Sequence, residues 1–69
     1  MNKKCQTLML NALTNSGSYD PEDCMYQIEE NLTAAEYKTV SSFLAWCHHN
    51  GKTFGRGNLD QVFAEYKKK

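Results

Sequence analysis

The 69-residue chain has no Cys-x-x-Cys pair, no His-x-x-x-His on a helical stretch and no complete glycine-rich nucleotide loop. The first two absences remove the ligand spacings that zinc sites use, and Cys47-His48-His49 does not replace them. Adjacent side chains on a helix diverge by about 100° and do not converge on one ion. The third removes a phosphate-loop nucleotide site and leaves, as a looser alternative, an anion held by Lys52, Arg56 and the amides near the fourth helix's start. Gly51-Lys52-Thr53 has the tail of a phosphate loop, but Trp46 stands where the motif needs its first glycine. No apolar run approaches a membrane span, and the first fifteen residues mix polar and apolar positions where a signal peptide has a continuous block. A cytoplasmic protein with no membrane partner is expected.

β-Branched residues are sparse, and no segment alternates long enough to make a strand. Internal repeats are missing as well. Basic charge is lacking across nearly half of the chain: between Cys5 and Tyr37 there are six acidic residues, Asp20, Glu22, Asp23, Glu29, Glu30 and Glu36, and no Lys or Arg. Lys3, Lys4, Lys38, Lys52, Arg56 and the Lys67-Lys68-Lys69 end bring the formal charge to zero. The chain is therefore an electrical dipole, a property that bears on partners more than on fold. Cys5, Cys24 and Cys47 are odd in number and widely spaced, unlike the paired, dense cysteines of a small secreted domain, so reduced thiols on buried helix faces are expected.

What is present is a set of helices with their punctuation. Cys5, Leu8, Met9, Ala12 and Leu13 recur at helical spacing and predict a first helix over 3–14, ended by Asn15-Ser16-Gly17-Ser18. Asp20-Pro21-Glu22-Asp23 is a helix start, with Asp20 as cap and Pro21 in the first turn. It predicts a second helix over 21–31 whose stripe is Cys24, Met25, Ile28 and Leu32. Thr33-Ala34-Ala35-Glu36 is a capping box, flanked by Leu32 and Tyr37 as a hydrophobic staple. It opens a third helix over 34–49 with Tyr37, Val40, Phe43, Leu44 and Cys47 inward. Gly51 suits the left-handed residue that ends it. A glycine-rich loop over 51–57, with Phe54 tucked beneath it, leads through Asn58 to a fourth helix over 59–67 that buries Leu59, Val62, Phe63 and Tyr66. The expected fold is all-α, one domain over 1–69 built as a compact bundle of four short helices, near the lower size limit for a self-sufficient core.

Catalytic chemistry finds no foothold in this pattern. Glu29 and Glu30 lie on a solvated face, without the enclosure that raises a carboxylate pKa, and Cys47 points inward by periodicity. The expectation is a protein that is not an enzyme and has no cofactor. Two features interrupt the amphipathic pattern. Tyr26 falls among Glu22, Asp23, Glu29 and Glu30, an aromatic spot ringed by carboxylates. Trp46 and Leu10 are displaced from their helices' apolar stripes, which makes them either secondary core or an apolar anchor for a partner.

Three functions follow. The first is an interaction protein, an inhibitor or modulator, that offers the Tyr26-centred acidic face to a partner protein with a basic surface. In size, charge layout and lack of catalytic signatures the chain resembles the small accessory and inhibitor proteins that phages and other mobile elements encode against host machinery. The second is a helix-turn-helix-like nucleic-acid-binding regulator, with Lys52 and Arg56 on phosphate and the fourth helix as reader. The long connection from His49 to Asn58, the acids Asp60 and Glu65 on that helix and the zero net charge all weigh against it. The third is a homo-oligomer that buries Trp46 and Leu10.

Overall fold

A computed structural model describes residues 2–16 and 20–68. Gly17 and Ser18, expected to end the first helix, lie outside the described residues. Four α-helices make up the architecture: α1 (Lys3–Ser16), α2 (Pro21–Ile28), α3 (Ala34–Asn50) and α4 (Leu59–Lys68). No strand occurs among the described residues. Successive helices pack on one another, α1 on α2, α2 on α3 and α3 on α4.

The starts of α1, α2 and α3 are each capped by a side chain. Asn2 Oδ1 accepts the Cys5 amide at 2.8 Å, and Asp20 Oδ1 accepts that of Glu22 at 3.0 Å. The capping box closes in both directions: Glu36 N donates to Thr33 Oγ1 at 3.2 Å, and Thr33 N donates to Glu36 Oε1 at 2.9 Å. At the other end of α3, Gly51 takes φ 64°, and Lys52 N donates to the Cys47 carbonyl at 2.9 Å.

The second helix departs from a uniform winding over 21–31. Its α-helical part ends at Ile28, and Glu29–Asn31 tighten into a 3-10 turn. The chain has to become extended at Leu32 (φ −114°, ψ 141°) to place Thr33 as the cap of α3, and the tighter turn accomplishes this within three residues. Asn58 also differs from a simple helix opener. Its side-chain oxygen accepts the Gly55 amide at 2.6 Å, so it fastens the preceding loop.

The core is centred on α3, where Val40, Phe43, Leu44 and Cys47 are wholly buried. Cys5, Met9 and Ala12 reach it from α1, Cys24, Met25 and Ile28 from α2, and Leu59, Val62 and Phe63 from α4. Phe54 closes it from the loop at 3% exposure. Phe43 is the hub of the aromatic packing: its ring centroid lies 5.2 Å from Phe63, 5.5 Å from Tyr66 and 5.7 Å from Phe54.

Tyr37 is a correction. Expected inward, it is 43% exposed, while Trp46, farther round the wheel, is half-buried against the core. Tyr37 lies only about 70° from the centre of the buried stripe, so angle is not what expels it. Its position in the first turn of α3 is one end of the central helix. Trp46 sits near the other end, where α4 supplies Tyr66 as a neighbour at 5.7 Å. Position along the axis outweighs position around it.

Candidate functional site

The acidic face is formed by one helix and the turn that follows it. Burying Cys24, Met25 and Ile28 turns Tyr26 about 150° away from the core. Its ring is 81% exposed. Glu22 and Asp23 precede it by one helical turn, and Glu29 and Glu30 follow it on the 3-10 turn. All four carboxylates are exposed, and none makes an ion pair among the described residues. Pro21 and the Asp20 cap fix the start of this segment, so it is presented on a backbone anchored at both ends.

Trp46 and Leu10 are both packed against the core and half-buried. The indole lies nearly parallel to Phe43, with centroids 6.4 Å apart and planes 20° from parallel, and meets Tyr66 at 60°. Of Trp46 only part remains for a partner.

The loop cations are not equivalent. Lys52 Nζ lies 3.7 Å from Glu65 Oε2 on α4, an exposed pair that uses part of its charge within the molecule. Arg56 is exposed in the turn before α4 and has no ion pair among the described residues.

A polar knot that sequence reasoning reached only in part surrounds Glu36. Beyond the capping box, its carboxylate accepts Lys4 Nζ at 3.0 Å and Asn2 Nδ2 at 3.0 Å. The Thr33 amide first, and then Lys4 and Asn2, hold its pKa down to about 2. The starts of α1 and α3 are thereby tied to one side chain. Nothing in the sequence signals contacts across more than thirty positions. Beside the knot lies a cleft of about 300 Å³ between α1, α3 and α4. A second tie joins α1 to α4, with Gln6 Nε2 donating to Asp60 Oδ1 at 2.6 Å.

All three thiols are free and buried. Burial pushes Cys47 up to about 11, with Lys52 opposing the rise, and raises Cys5 as well. His48 and His49 are exposed at the end of α3 while Cys47 points inward, so the three adjacent residues face different surroundings. Among the described residues no group of three His, Cys, Asp or Glu side chains gathers to hold a metal. None of the described helices is long and apolar enough to cross a membrane.

Comparison with known proteins gives no counterpart: no family model, curated protein or solved structure matches the chain.

Proposed function

We propose that this is a non-enzymatic binding protein that offers the exposed face of α2 and its 3-10 turn to a basic surface on a partner protein, and modulates that partner by covering it. The observation that carries the reading is Tyr26: a large ring 81% exposed in the middle of four carboxylates. An aromatic residue so placed supplies the apolar contact that dominates interface energy, while Glu22, Asp23, Glu29 and Glu30 supply steering and register. Their charges lack intramolecular partners among the described residues, so a cationic surface meets them without first breaking an ion pair. The burial of the thiols, with Cys5 and Cys47 shifted away from the reactive thiolate form, supports a role without thiol chemistry.

The test is affinity capture from native cells, with partners identified by mass spectrometry. A basic protein retained by the wild type at low salt, weakened as salt rises and lost from a Tyr26→Ala plus Glu30→Lys variant is the expected result. Capture that the double substitution leaves intact overturns the proposal. So does a salt-dependent shift of duplex DNA that Arg56→Ala abolishes, the outcome a nucleic-acid regulator would give.

A further inference from the structure

The cleft beside Glu36 has its own chemistry, and none of its lining residues belongs to α2 or its 3-10 turn. Its walls include Ala35 and Thr39 on α3, the Cys5 side of α1 and the ring of Phe63 on α4. Lys67 stands at its edge with Nζ 5.7 Å from the centre of the Phe63 ring. The volume of about 300 Å³ is at the small end of ligand sites, enough for a single ring and its substituent.

Charge decides what class of ligand it suits. Glu36 lines the cleft but is occupied: Lys4, Asn2 and the Thr33 amide already satisfy its carboxylate. Asp60, one turn before Phe63, takes the Gln6 amide. Lys67 is exposed and has no carboxylate partner among the described residues. Lys67 is therefore the lining cation that no carboxylate of the described residues engages. An apolar wall beside an ammonium without a carboxylate partner fits an anionic head on a short apolar body.

We infer that the α1–α3–α4 cleft is a binding site for a small carboxylate with a ring-sized apolar body, held by Lys67 at its head and by Phe63, Ala35 and the Cys5 side of α1 along its body. Thr39 completes the α3 wall. The site is independent of the Tyr26 face, so binding at one does not require the other.

Benzoate is the probe, followed by amide chemical shifts of the full chain, with benzyl alcohol as the uncharged comparator. Saturable shifts with benzoate are expected in the low-millimolar range, confined to the neighbourhood of Cys5, Ala35, Thr39, Phe63 and Lys67. Lys67→Met should weaken benzoate about tenfold and leave benzyl alcohol unchanged, as loss of one charged contact implies. Ala35→Phe, which adds bulk at an exposed helical position, should abolish binding of both with the fold intact by circular dichroism. Benzoate shifts that fail to saturate, that scatter over the surface, that keep their full affinity in Lys67→Met, or that survive Ala35→Phe overturn the assignment. Tyr26→Ala should leave benzoate binding unchanged, which separates this result from the fate of the partner proposal.

Discussion

Lys4 and Glu36 meet at 3.0 Å although 32 positions separate them, and the carboxylate that receives Lys4 is the same one that closes the capping box of α3. A local helix signal thus doubles as a tertiary clamp. Its consequence for acid stability has a definite sign. The folded pKa of Glu36, about 2, lies below the ordinary value of 4.5, so its contribution is fully present above about pH 4.5 and is lost as pH falls toward 2. Glu36→Gln should lower the melting temperature at pH 6, and the gap to the wild type should narrow between pH 4.5 and 2. Thermal melts across that window check it; a gap that stays constant refutes it.

Thr33→Ala removes the other half of the box. The Glu36 amide loses its acceptor, at a cost of about 1 kcal/mol, while the Lys4–Glu36 pair remains geometrically available. Urea denaturation of the two variants separates the cap from the clamp: the deficit of Thr33→Ala relative to the wild type should change little between pH 6 and 2, whereas that of Glu36→Gln should narrow.

Glycine substitutions should separate backbone strain from crowding. Both Gly51 and Gly55 have open space where a Cβ would stand, but Gly51 alone of the two has a positive φ, 64°. Gly51→Ala should destabilise by about 1–2 kcal/mol. Gly55→Ala should be neutral or slightly stabilising, since it restricts the unfolded chain without a clash. Equal losses at both sites would contradict this account.

Phe43 is the position where a small core has least tolerance. It contacts Trp46, Phe54, Phe63 and Tyr66, so Phe43→Ala should cost about 3–5 kcal/mol, comparable with the whole stability of a small domain. The more measurable Phe43→Leu should retain helicity by far-ultraviolet circular dichroism and lower the urea midpoint. A midpoint unchanged by Phe43→Leu would remove Phe43 from the centre of the packing.

The thiols give an independent readout of burial. Cys47 is wholly buried and pushed up to about 11, so its alkylation by iodoacetamide at pH 8 should be limited by opening of the fold. Denaturant should restore the rate of an ordinary thiol. Rapid labelling of native Cys47, located by peptide mass spectrometry, would contradict the placement.

Much of the fold was legible because its signals are local. Asp20 with Pro21, Thr33 with Glu36, and Gly51 after a helical run each act within one turn of the chain, where backbone geometry and hydrogen-bond supply leave few alternatives. The exposure of Tyr26 followed from the same reasoning, since burying Cys24, Met25 and Ile28 dictates where a neighbouring ring points. Tyr37 escaped it, because a wheel records angle and omits how far along the axis the neighbouring helices reach.

The order of the helices, their caps, most of their buried stripes and the uneven charge are thus properties of the sequence by itself, set by interactions between residues three or four positions apart. The tertiary structure decided which side chains from distant segments share a space. It brought Asn2 and Lys4 onto Glu36, Gln6 onto Asp60, Lys52 onto Glu65 and Tyr66 onto Trp46, and it opened the cleft beside Phe63. Such pairings depend on how whole helices dock, and the docking is governed by the summed fit of a shared apolar core, which no short window of residues contains.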